Sequence, residues 1–115
     1  MGRIYKPVEI GAGRRSLVTI AIIDTGADRS VVSARKAHDI KARLFGEFRA
    51  VCASDTELVG KYADVRVREI ESGRRAKLLV GVSDIPFNTD DINDDGVEVI
   101  LGTDYLQMTR SKLKI

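Results

Sequence analysis

The sequence predicts a small all-β, barrel-like fold. Three observations carry that expectation: a mostly period-two hydrophobic pattern, runs of strand length rather than helix length, and turn residues at regular intervals between them. At 115 residues, one domain spanning 1–115 is expected. That length suffices for a core but is small for a self-contained enzyme with a deep cleft.

Residues 5–10 and 17–23 read as two strands joined by Gly11-Ala12-Gly13-Arg14-Arg15, a turn rich in glycine and charge. Gly11-x-Gly13 faintly echoes a dinucleotide loop, but Ser16 replaces the third glycine and a strand follows, so a hairpin turn is the reading. Val31-Val32 is a short apolar pair, and Ser33 to about Ile40 is predicted to form a helical turn. Residues 48–53 and 58–68 then form two strands around Ser54-Asp55-Thr56-Glu57. In Asp64-Val65-Arg66-Val67-Arg68 the valines face one way and the charges the other, as in a half-exposed antiparallel strand. Ser72-Gly73 turns the chain into the apolar strand at 78–82. An acidic stretch from Asn88 to Gly96 precedes the strand at 97–102. A short helix from Thr103 or Asp104 to Met108, capped by one of those two, follows. The tail 111–115 alternates and is expected to pair as a strand.

Composition excludes several function classes. Charged residues make up 31% of the chain, yet the net charge is only +2, so no strong field points to a polyanion. The pairs Arg14-Arg15, Arg35-Lys36 and Arg74-Arg75 are scattered without interleaved aromatics and read as solvated faces; no nucleic-acid partner is expected. Cys52 stands alone and His38 is the only histidine, so neither a disulfide within the chain nor a metal site is expected; Cys52 reads as a small apolar filler. Asp91 to Gly96 matches the first half of a calcium loop. Its twelfth position is Gly102, where a bidentate glutamate is needed, and a solvated surface loop is the better reading. Nothing at the N-terminus resembles a signal peptide, Lys6 stands where a myristoylation site wants Ser or Thr, and no apolar run reaches membrane-spanning length. No membrane association and a cytoplasmic location are the expectations.

The segment that asks for a function is Asp24-Thr25-Gly26-Ala27-Asp28, directly after the apolar run 17–23. A carboxylate ending a buried strand is expected to press against apolar neighbours with little water around its charge. The bland alternative is a turn aspartate bonded to its own backbone. Actin-like ATPases also place Asp-x-Gly after a strand, but they need far more chain.

Taken with Val99-Ile100-Leu101-Gly102 some seventy residues later, Ile23 to Asp28 resembles the retropepsin-like aspartic proteases, the retroviral protease family and its cellular relatives. Lys6-Pro7 also stands where the retroviral enzymes carry a basic residue and proline. The resemblance implies a small closed acid-protease-like barrel with one short C-terminal helix, active as a two-fold homodimer on polypeptide substrates, with no cofactor. Asp24 from each copy would face its twin, and carboxylates that close share one proton. One takes a proton from water while the other polarises the scissile carbonyl, with greatest activity below neutral pH. Thr25 would lock the two loops together, and Gly26 would bring a backbone group to the substrate. Ala27 would be small beside the dyad, and Asp28 would hold substrate amides and meet Lys6 of the other copy. The hairpin at 50–60 falls where the family has its flap, which makes Ser54, Asp55 and Thr56 substrate-binding candidates. Val31, Ile85 and Val99 are candidate pocket walls beside Ala27.

Three features depart from the retroviral pattern. Ala53 to Val59 contains no glycine, Thr103 follows Gly102 where an arginine braces the aspartate loop, and the 88–96 stretch has no counterpart. The first two motivate an alternative of another class, a non-catalytic retropepsin-fold module for dimerisation or peptide binding. Retroviral enzymes also interleave both termini in a shared sheet, for which 3–5 and 112–115 are the candidates here.

Overall fold

The computed structural model describes residues 4–51, 57–83 and 97–113. Among these residues, seven strands and two helices run in the order β1 (Ile4–Ala12), β2 (Arg15–Ile23), β3 (Val31–Ser33), α1 (Ala34–Asp39), β4 (Phe45–Val51), β5 (Glu57–Glu69), β6 (Arg75–Ser83), β7 (Val99–Leu101) and α2 (Thr103–Leu113). The sheet order is β1-β2-β7-β3-β6-β5-β4, and β1 also pairs with β5. That last pairing joins six strands into a closed barrel, which removes sheet edges that would otherwise be left open. Strand β4 lies outside the ring, paired only with β5 among the described residues.

Alternation builds the barrel. Ala63, Val65 and Val67 of β5 are buried between exposed Asp64 and Arg66 and partly exposed Arg68, as the period-two pattern requires. Ala76, Leu78, Val80 and Val82 of β6 meet them with Val8 and Ile10 of β1 to form the core. The short strands β3 and β7 are apolar on both faces because they run through the middle of the structure. β7 is parallel to β2 and antiparallel to β3, while β3 is parallel to β6. A smaller cluster of Val31, Phe48 and Leu58, with Tyr62 and Ile100 against it, lies under the β4–β5 hairpin. The Phe48 and Tyr62 rings meet edge to face at 5.6 Å.

Ser33 caps α1 by accepting the Lys36 amide at 3.1 Å, and its hydroxyl donates to Glu98 at 2.8 Å. Arg35 also binds Glu98, and chiefly this contact, with Ser33 assisting, holds the Glu98 carboxyl below the usual carboxylate range. Helix α2 docks through Tyr105, which is wholly buried and donates its hydroxyl to the buried Glu69 at 2.5 Å. Burial, then Glu69, pushes the Tyr105 hydroxyl well above the ordinary tyrosine range.

The expectation for the C-terminal end needs correction here. The tail does not alternate as a strand over 111–113: α2 continues through Leu113, well beyond Met108. The segment from Thr103 onward contains good helix formers and no glycine or proline to stop it. At the other end, Ile4 pairs with Ile23 of its own chain in the β1–β2 hairpin. Residues 114 and 115, the flap tip and the acidic stretch lie outside the described residues.

Candidate functional site

Strand β2 ends at Ile23, which pairs with Leu101 of β7. The next amide, Asp24 N–H, donates to the Leu101 carbonyl at 2.9 Å and prolongs that pairing by one bond. Three residues on, the Ala27 carbonyl accepts the Thr103 N–H at 2.8 Å. The loop is thus clasped at both ends to the junction of β7 and α2. Gly102 lies inside the clasp: a Cβ there would sit 2.4 Å from the Ala27 carbonyl oxygen. Only the residue without a side chain permits that crossing.

Ser30 locks the loop from beneath. It is wholly buried, and its N–H and hydroxyl donate to the two carboxylate oxygens of Asp104 at 2.9 and 2.7 Å. The same hydroxyl accepts the Gly102 N–H at 3.0 Å, and the Ser30 carbonyl accepts the Gly81 N–H at 3.0 Å. Asp104 also accepts the Tyr105 N–H at 2.7 Å, so one carboxylate serves both the first turn of α2 and the Asp24 loop. On the outer side, the Arg29 guanidinium donates to the Leu79 carbonyl at 2.8 Å and lies 5.4 Å from the centre of the Tyr62 ring.

Upon this frame Asp24, Thr25, Gly26 and Asp28 are exposed, and Ala27 is half-buried. The expected apolar surroundings of Asp24 are therefore not found within one chain, because the loop rises out of the barrel once β2 ends. Asp24 Oδ1 accepts the Gly26 N–H at 2.9 Å, the contact expected of an ordinary turn aspartate. That local bond does not account for the clasp below it. The Thr25 hydroxyl has no hydrogen-bond partner among the described residues. Lys6 lies 3.8 Å from Glu71 of its own chain, an exposed pair worth little. Among the described residues no three of His, Cys, Asp and Glu converge as a metal site would need.

The structure therefore brings Asp24, Thr25, Gly26, Ala27 and Asp28 together on one loop. Val31 packs under the β4–β5 hairpin, whereas Val99 is wholly buried in the barrel core and walls no cleft. The hairpin itself is present, with Val51 opposite Glu57, while Ser54, Asp55, Thr56 and Ile85 lie outside the described residues. Sequence reasoning missed Ser30 and Arg29, and weighed Asp104 only as a helix cap. Nothing local links Ser30 to a partner 74 residues away; a lone serine before a buried valine pair is the faint signal.

No family model matches this sequence, and no curated protein does. Among solved structures, an EIAV protease complexed with the inhibitor HBY-793 matches with a TM-score of 0.68 over 92% of this chain and 86% of its own. The identity is 24%. What the two chains share is the fold, and this chain accordingly has a retropepsin-like fold.

Proposed function

We propose that the chain is an aspartic endopeptidase that works as a two-fold homodimer. The observation that supports this most is the contrast within the loop: an exposed Asp-Thr-Gly rests on a backbone pinned from two sides, in a fold shared with a solved protease. The turn bond within Asp-Thr-Gly would not by itself call for that bracing. A reaction between two copies needs them outward.

In this reading Asp24 and its twin hold a water between them. One carboxylate removes a proton from that water as it attacks the scissile carbonyl, and the protonated partner donates to the carbonyl oxygen. The resulting tetrahedral species collapses with proton transfer to the leaving amine. Thr25, with its hydroxyl unpaired among the described residues, is assigned to the loop of the other copy. Gly26 and Asp28 are assigned to the substrate backbone, which extends as an added strand. The β4–β5 hairpin covers it.

The test is cleavage of a mixed peptide pool across pH, with solution mass measured in parallel. Cuts by the dimer that vanish in Asp24→Asn, while the dimer persists, are the expected result. The loss should reach at least about a thousandfold, as for removal of an essential acid–base group. Cleavage retained in purified Asp24→Asn rejects the mechanism. A dimer that binds peptides and cuts none at any pH favours the non-catalytic module instead.

A further inference from the structure

At the far end of the β1–β2 hairpin from Asp24, the outer face of β1, β5 and β6 forms a groove of about 410 Å³. Its lining includes Arg66, Arg68, Arg75 and Lys77, with Glu9 as the one acid among the described residues. The register sets these cations directly opposite one another: Arg66 faces Lys77, and Arg68 faces Arg75. Like charges in cross-strand positions destabilise a sheet. Two such pairs in succession are a cost that folding alone gives no reason to keep.

The groove also displays the chemistry it accepts. The carboxylate of Glu9 sits in the fork of Arg68, at 3.1 Å from Nε and 3.0 Å from a terminal nitrogen. Arg68 chiefly, and then Ser16, hold the Glu9 carboxyl below the usual carboxylate range. Among the described residues of the lining, one carboxylate stands against four cations. Arg66 donates to the Gly13 carbonyl at 2.9 Å and is only more weakly attracted to Glu9, and Lys77 has no ion-pair partner among the described residues.

We propose that this groove is a docking site for an acidic segment of an extended polypeptide, and that the segment belongs to the substrate. Alternate residues of a strand repeat at about 6.8 Å, and an extended peptide has the same repeat. Acids at every second position therefore match Arg66 and Arg68 along β5 and Lys77 and Arg75 along β6. Guanidinium forks suit carboxylates, and two Arg68 nitrogens converge here on one oxygen of Glu9. Among the described residues no aromatic side chain lines the groove, so a single-stranded nucleic acid would find no stacking platform there. From Ser16, beside the groove, to Ile23 is seven residues of strand, roughly 24 Å. The acidic segment thus lies at least about seven residues from the bond that is cut. The word substrate rests on the protease reading; the binding does not.

The experiment measures fluorescence anisotropy of a labelled peptide with four glutamates at alternate positions, against the same peptide with glutamines. Full-chain Asp24→Asn protein is used so that cleavage plays no part. The glutamate peptide should bind, weaken with added salt, and lose at least about fivefold affinity in Lys77→Glu, with a smaller loss in Lys77→Ala. Lys77→Glu also places a carboxylate opposite Arg66, so its melting temperature should hold or rise, which separates lost binding from lost folding. With active protein, Lys77→Glu should raise KM for a substrate carrying the acidic segment and leave kcat in place. Equal binding of both peptides, or unchanged binding in Lys77→Glu, overturns the proposal. So does tighter binding of a single-stranded oligonucleotide of equal charge. If nothing is cleaved but the glutamate peptide binds through Lys77, the groove stands and the protease reading falls. If peptides are cleaved and Lys77→Glu alters neither binding nor KM, the reverse holds.

Discussion

Two turns in this molecule follow strands of equal length and are held in opposite ways. The turn from β1 to β2 uses two residues, Gly13 and Arg14, between the paired Ala12 and Arg15. Gly13, at the first central position, has φ 58°, as a two-residue hairpin of the II′ class asks. What sets its backbone lies within a few residues, although the Arg66 side chain reaches its Gly13 carbonyl from 53 residues away. The loop after β2 is shaped by Leu101, Gly102, Thr103 and Asp104, more than seventy residues away. A turn that only reverses the chain can be built locally. One that must present particular side chains at a set height above the barrel is held from outside, and here the outward side chains are Asp24, Thr25 and Asp28.

The largest effect expected of that difference is at Gly102. Gly102→Ala drives a methyl group to within 2.4 Å of the Ala27 carbonyl, an oxygen already engaged by Thr103. Neither backbone has room to withdraw without breaking the clasp. A loss of about 3 kcal/mol in denaturant unfolding is expected, at the upper end of what overpacking costs. A variant of wild-type stability would show that the crossing is looser than described.

These two regions also differ in how far they could be foreseen. The hairpin was legible because its determinants are neighbours: Gly13 and the flanking alternation suffice. The barrel strands were legible for the same reason, down to the inward valines of β5. The alternation even points Glu69 inward, but pattern alone names no partner, and the Tyr105 hydroxyl that satisfies it lies 36 residues on. The Asp24 loop was legible in its residue types and illegible in its support. Ser30 acts through four hydrogen bonds to Asp104, Gly102 and Gly81, none adjacent in sequence. The end of α2 was misread because Lys112-Leu113-Lys114-Ile115 alternates as a strand does. Four or five residues cannot separate that period from the edge of a helix, and the propensity of the preceding turn decided it.

An intermediate effect is expected at Asp104. Asp104→Ala strips the partners from the Ser30 N–H and from the Tyr105 N–H, and it frees a Ser30 hydroxyl that is fully buried. Leaving such donors unpaired costs about 2 kcal/mol, and Asp104→Asn should recover part of it because one carbonyl oxygen remains. Because Asp104 touches no exposed residue of the loop, it positions the loop rather than meeting substrate. If the protease reading holds, Asp104→Asn should therefore lower kcat more than it raises KM, in protein confirmed to be folded by its melting curve. A variant with lower stability and unaltered kcat would reduce the network to scaffolding.

The smallest effect is expected at the locally built turn, and it calibrates the others. Gly13→Ala asks an L side chain to hold a positive φ, with no heavy atom within 4 Å of the new methyl group to clash with it. The cost is then conformational alone, about 1 kcal/mol. No loss of peptide cleavage should accompany it, since the change stays within a turn at the opposite end of β2 from Asp24. The comparison between the two turns rests on this asymmetry. Should Gly13→Ala prove as damaging to folding as Gly102→Ala, the hairpin would be as dependent on distant parts of the chain as the Asp24 loop, and the special bracing of that loop would no longer need a functional explanation.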